Sequence, residues 1–136
     1  MLVIDDSNTI RKSAEMFLSQ AGFDVCLAED GFSGLSMVMK TSPDFIFIDV
    51  SMPKLDGYQA CELIKKNPEC KDVPVIMLTS KDTLFDRARG KLAGADQYLI
   101  KPFTKEGLVE AIRCTLDRAA LASHSDGNAS ASLNQG

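Results

Sequence analysis

The sequence predicts a doubly wound α/β domain, one sheet with helices packed on both faces. Two observations lead there. Short β-rich runs alternate with segments of helical period through five successive units, and the helical segments are bounded by residues that cap or stop helices. The acidic and polar residues gather where those runs end, which is where open α/β sheets bind ligands.

Leu2 to Ile4 reads as the first strand. Ser7 can cap the helix that follows, because a short hydroxyl side chain accepts from the unpaired N–H groups of a first turn. Ile10, Ala14, Phe17, Leu18 and Ala21 fall on one face of that helix before Gly22 ends it. Val25 to Ala28 reads as a second strand. Asp30 precedes a helix with Phe32, Leu35, Val38 and Met39 on one side, and Pro43 follows its end. Phe45 to Ile48 is the clearest strand. A loop containing Pro53 and Gly57 leads to a helix through Ala60, Cys61 and Ile64 that stops near Asn67 and Pro68. Val75 to Leu78 is the fourth strand, Leu84, Ala88 and Leu92 mark a weaker helix running to Gly94, and Tyr98 to Ile100 supplies a fifth strand. Thr104 is placed to cap a last helix whose apolar face is Leu108, Ala111, Ile112, Leu116 and Ala119, with Gly107 weakening its first turn.

Residues 1–121 thus form one domain. From 122 to 136 the composition turns to Ser, Ala, Asn and Gly, which cannot bury enough apolar surface to offset the entropy of ordering, and this segment reads as a polar flexible tail or linker. Met1 stands directly before the first strand, an abrupt start that suits an excerpt of a longer protein.

Composition narrows the function classes. The chain of 136 residues is 45% hydrophobic and 25% charged, with a formal charge of −4 and a pI near 4.9. It offers no basic stripe to a phosphate backbone, so direct nucleic-acid binding is disfavoured. The longest apolar runs are too short to cross a bilayer and no signal segment opens the chain, which predicts a cytoplasmic protein without membrane insertion. Cys26, Cys61, Cys70 and Cys114 form no C-x-x-C pair and read as buried thiols. The one histidine, His124, lies in the polar tail, which removes His-based catalysis and a histidine phosphodonor.

Asp5 and Asp6 follow the first strand, Asp49 ends the third, Thr79 follows the fourth, and Lys101 with Pro102 follows the fifth. Each has an ordinary explanation alone: a solvated turn for the acidic pair, β propensity for Thr79, a surface ion pair for Lys101. Asp49 is harder to dismiss, because a carboxylate closing the run Phe-Ile-Phe-Ile is costly to bury unpaired. Together these residues make a cleft of three carboxylates that repel unless a cation joins them. Mg2+ suits that set, since it takes oxygen ligands from one or two carboxylates and keeps waters that a phosphate can replace.

The segments VIDDS, FIDVSMPKLDG, VIMLTS and YLIKPF, in that order and spacing, resemble the receiver domains of response regulators from Leu2 to about Leu116. The resemblance implies a flavodoxin-like (βα)5 sandwich with a parallel five-stranded sheet of order 2-1-3-4-5. It implies Asp49 as phosphoacceptor, Asp5 and Asp6 as the acidic pair at Mg2+, and Ser51 lending a backbone carbonyl to the metal. Thr79 would bond a phosphoryl oxygen, Lys101 would pair with the phosphoryl group, and the Lys101–Pro102 peptide would be cis. Ser51 and Lys81 occupy the positions that tune phosphoryl lifetime in the family. Tyr98 would turn inward beside Thr79 on phosphorylation and alter a partner surface including Leu84, Lys91, Tyr98 and Lys105. The implied partners are a histidine kinase or phosphotransfer protein and a downstream protein target. The chain would not be a turnover enzyme, catalysing only its own phosphorylation and dephosphorylation.

Within that family, the segments IDDSNTIRKSAE, DGYQACELIK and VIMLTSKDTLFDRARGKLAGADQYLIKPFTKEGL resemble single-domain regulators of type IV pilus, or twitching-motility, chemosensory systems. Three alternatives are weaker. A flavodoxin-like FMN protein would not place Asp5 and Asp6 at its phosphate loop. A haloacid-dehalogenase-like phosphatase wants an acid where Ser51 stands. A receiver acting only as a non-phosphorylated interaction module has no need of a complete site.

Overall fold

The computed structural model of the chain describes residues 1–80 and 84–131, with side chains except at 84, 85 and 119–131. The elements alternate as β1 (Leu2–Ile4), α1 (Asn8–Gln20), β2 (Cys26–Ala28), α2 (Gly31–Thr41), β3 (Ile46–Asp49), α3 (Gly57–Lys66), β4 (Val75–Thr79), α4 (Leu84–Ala93), β5 (Gln97–Ile100) and α5 (Lys105–Ala131). The five strands form one parallel sheet in the order β2-β1-β3-β4-β5. The predicted architecture and strand order therefore hold. Among the described residues no helix is long and apolar enough to cross a membrane.

Strand alternation builds two cores. Leu2, Ile4, Ile46, Ile48, Val75 and Met77 point to the face covered by residues of α2, α3 and α4, while Val3, Phe47, Ile76 and Leu78 point to the face covered by Ala14 and Leu18 of α1 and Leu108, Ala111 and Ile112 of α5. Both faces are dry, which is why β1, β3 and β4 are almost continuously apolar.

Local chemistry starts the helices where expected. The Ser7 hydroxyl accepts from Ile10 N, the Asp30 carboxylate from Ser33 N, and the Thr104 hydroxyl from Gly107 N. Gly22, at φ 94°, follows α1 in the left-handed region. A capping box at α3, in which Asp56 accepts from Gln59 N and Gln59 Oε1 accepts from Asp56 N, was readable as D-x-x-Q and is an addition to the sequence reading.

Several predicted helix faces need correction. In α2 the buried positions are Gly31, Gly34 and Val38, while Phe32 and Met39 are 60% and 56% exposed. A Cβ on Gly34 would lie 2.4 Å from Ile4 Cδ1, so α2 approaches the sheet through its small residues. In α4 Ala88 is exposed and Leu92 is 88% exposed, with Gly90 and Ala93 turned inward. On α5 Leu116 is half exposed and Thr115 is buried instead, its hydroxyl satisfied by Ala111 O at 2.7 Å. α5 runs from Lys105 to Ala131, and no proline follows Pro102 in the chain. Residues 132–136 lie outside those described.

Lys54, exposed in the loop before α3, sits at φ 68°. A non-glycine residue there costs about 1–2 kcal/mol, part of which glycine returns through its freer unfolded chain. Lys54→Gly is therefore expected to stabilise the fold by about 0.5–1 kcal/mol, read as a higher urea midpoint at unchanged slope.

Candidate functional site

Strand register brings the site together. Ile4 lies opposite Ile48 and Ile100 opposite Thr79, so Asp5 emerges beside Asp49, and Lys101 leaves the sheet beside the end of β4. Asp5 is fully buried and Asp49 is 3% exposed, whereas Asp6 stands in solvent at the rim. One carboxylate oxygen from each of Asp5, Asp6 and Asp49 lies within 4.8 Å of the other two. Lys101 Nζ reaches into this group, 3.0 Å from Asp49 Oδ1 and 3.4 Å from Asp5 Oδ2.

Backbone donors supply part of the remaining compensation. Ser7 N donates to Asp5 Oδ1 at 2.8 Å, and Ser51 N donates to Asp49 Oδ1 at 3.4 Å. Arg11 Nη1 donates to Asp5 O at 2.6 Å, tying the loop after β1 to the first turn of α1. Nothing in the sequence reading singled out Arg11, since its role depends on the path of that loop. Thr79 is buried at the end of β4 and its carbonyl accepts from Lys101 N at 2.7 Å; the Lys101–Pro102 peptide is cis.

Gly57 sets how closely α3 approaches. A Cβ there would lie 2.2 Å from Asp49 O and 2.8 Å from Val50 Cα, and Gly57 N donates to Val50 O at 3.2 Å. Only glycine lets the first turn of α3 lie directly on the backbone that carries Asp49.

One ammonium faces two buried carboxylates, and the balance is incomplete. Burial first, and then repulsion from Asp5, push Asp49 up to about 6 despite the pull of Lys101. Asp5 is also raised, by burial, against the stabilising Ser7 N–H and Lys101. Burial works against the Lys101 charge, but its bonds to Asp49 and Asp5 leave it more firmly protonated than usual. A rim of oxygen donors with uncompensated negative charge fits a hard divalent cation.

The remaining expected residues lie towards β5. Tyr98 is half-buried under α4, and its hydroxyl donates to Asp86 O and lies 3.3 Å from the Tyr58 hydroxyl. Lys91 and Tyr98 line an open cavity of about 260 Å3 with Arg87, Asp96 and Arg118. Lys105 is half-buried at the start of α5, and Ser51 is exposed. Lys81 and the Leu84 side chain lie outside the described residues.

The family model of the response regulator receiver domain matches residues 1–113. Protein PilG of Pseudomonas aeruginosa is 56% identical over 113 residues, covering 83% of this chain and 84% of PilG. The probable transcriptional regulator ycf27 of Guillardia theta is 42% identical over 127 residues, covering 91% of this chain; the chain spans about half (49%) of that regulator. Among solved structures, the chemotaxis protein CheY4 of Vibrio cholerae superposes with a TM-score of 0.81 at 32% identity, covering 84% of this chain and 95% of CheY4.

The carboxylate balance predicts a pH-dependent effect. Folded Asp49 holds its proton more tightly than the ordinary value of 3.8, so its contribution favours the fold in acid and is lost as the pH rises past about 6. In metal-free protein Asp49→Asn should therefore raise stability by about 1–3 kcal/mol at neutral pH, with the gain vanishing below about pH 4. Denaturant melts of both proteins across that range check the sign.

Proposed function

Because the chain belongs to the response regulator receiver family, we propose that it accepts a phosphoryl group on Asp49 from a histidine kinase or phosphotransfer protein. The observation that supports this most is the placement of Lys101 between two buried carboxylates, with a third acid at the rim. An ion pair built for stability alone would balance its charges; this one carries an excess of negative charge at the open end of the sheet.

Phosphoryl transfer depends on in-line positioning and on neutralising oxygens more than on covalent help. An Asp49 oxygen is the nucleophile: its bond to phosphorus forms as the bond from phosphorus to the donor nitrogen breaks, and the product is an aspartyl phosphate. The Lys101 ammonium already stands at Asp49 Oδ1 and is in reach of an oxygen attached there. The Thr79 hydroxyl, at the end of the neighbouring strand, is the neutral donor to a phosphoryl oxygen. Asp5, Asp6, Asp49 and the Ser51 carbonyl would hold Mg2+, which when bound supplies positive charge opposite the phosphoryl oxygens. Ser51, exposed at the mouth, is placed to govern water access and hence phosphoryl lifetime.

The chain then acts as a switch and not as a turnover enzyme. Its output is protein contact at the face of α4, β5 and α5, where Lys91, Tyr98 and Lys105 stand, with Leu84 on the same helix as Lys91. The pathway we infer is cytoplasmic chemosensory control of type IV pilus motility, supported by the likeness to PilG. Phosphorylation at Asp49 favours one of two arrangements of Tyr98 and the α4 face by the difference in its affinity for them.

Incubation with acetyl phosphate and Mg2+ should add one phosphoryl mass to the intact protein and none to Asp49→Asn. Full labelling of that variant would move the site elsewhere, and an unlabelled native chain would favour the non-phosphorylated interaction module. Asp6→Asn should weaken Mg2+ binding about tenfold, since water replaces a ligand but not its charge. Unchanged affinity by calorimetric titration would remove Asp6 from the metal site.

A further inference from the structure

Three consecutive residues at the start of α3 connect the Asp49 backbone to α4. Asp56 Oδ2 pairs with Arg89 Nη2 at 3.5 Å. Gly57 lies against Asp49 O. Tyr58 is buried, and its hydroxyl donates to Asp86 O at 3.3 Å. The Arg89 guanidinium lies 4.4 Å above the Tyr58 ring, so that both ends of this short segment hold the same helix.

The Tyr98 hydroxyl enters the same place. It shares Asp86 O with Tyr58 and lies 3.3 Å from the Tyr58 hydroxyl. The opening it occupies exists because residue 90 has no side chain: a Cβ on Gly90 would sit 2.1 Å from Tyr98 Oη, 2.5 Å from Cε1 and 2.6 Å from Cζ. Glycine is otherwise a poor choice inside a helix, less favourable there than alanine. Its use where the ring tip lands marks the gap as a receptor for that ring.

We propose that Tyr58, Asp86 O and the gap at Gly90 form a seat that holds Tyr98 beneath α4 before any phosphoryl group arrives. Tyr58 is then a positioning residue for the switch, reached from Asp49 through Gly57 and not across β4. This rests on the proposed receiver function only in what the phosphoryl group adds. A seat that holds the ring in the unmodified chain raises the population of the inward arrangement, so phosphorylation completes a shift that the chain has already begun.

The chain has two tyrosines, Tyr58 and Tyr98, so ring-labelled tyrosine NMR resolves the switch directly, and Tyr58→Phe leaves Tyr98 as the single signal. In Tyr58→Phe the Tyr98 ring signals should move towards exposed-tyrosine positions without any ligand. Gly90→Ala should keep or raise the thermal midpoint, because alanine favours the helix, and yet displace the ring the same way. Beryllofluoride, a phosphoryl mimic, should bind Gly90→Ala about three- to tenfold more weakly in the presence of Mg2+, because the inward state must now be recovered at the expense of binding. Tyr98 signals identical to native in both unliganded variants would overturn the seat. Absence of mimic binding to the native chain would instead refute the phosphoacceptor reading, with the unliganded spectra still deciding the seat.

Discussion

Two carboxylates buried at the end of a parallel sheet, sharing one ammonium, are the constraint on which the rest of the structure depends. Asp5 and Asp49 are taken almost wholly out of water, and a buried anion without full compensation destabilises the fold. The chain tolerates this because the strands behind them are dry on both faces, from Leu2 to Ile4, Ile46 to Ile48 and Val75 to Leu78. Apolar burial offsets the electrostatic cost, and the excess charge remains as a standing demand for positive charge or for a proton. That demand is the chemical readiness of the site.

Holding such a pair requires a backbone that does not yield. β1 and β3 are in register, so Asp5 and Asp49 cannot separate without breaking the ladder between Ile4 and Ile48. Arg11 fixes the loop beyond Asp5, and Lys101 N fixes the chain beyond β5 to Thr79 O. Gly57 closes α3 onto Asp49 O, so Asp49 has a strand on either side and a helix terminus against its carbonyl. Polar atoms held this closely need no rearrangement to meet charge, and preorganisation of that kind is what electrostatic stabilisation of a transferred group depends on.

How much of this was legible depends on what each feature is made of. The strand order came only with the resemblance to receiver domains, whereas the alternation of elements and the convergence of Asp5, Asp6, Asp49, Thr79 and Lys101 follow from local apolar runs, caps and the residues directly after each run. Those are properties of single segments. Arg11, Tyr58 and the approach of Gly57 were missed as site features because they act across segments, where only the fold says what a side chain meets. The helix faces failed for a related reason. In α2 and α4 Gly31, Gly34, Gly90 and Ala93 pack inward, in α2 beside Val38, and a search for large apolar residues looks past these small ones to Phe32, Met39 and Leu92 on the outside.

That inversion in α4 bears on how the molecule would transmit a change under the proposed function. Of its described side chains, those turned inward are small. Polar and aromatic contacts also hold it there: the shared Asp86 carbonyl, the Arg89 contacts with Asp56 and Tyr58, and the ring of Tyr98 filling the space at Gly90. Such contacts are worth about 1 kcal/mol apiece, against several for a buried leucine or phenylalanine. Contacts of that size exchange at low cost while the sheet beneath stays rigid. Under the proposed function the fold divides its work: the dry strands keep the charged site in place, and α4 beside it is the part that a change of charge at Asp49 would move.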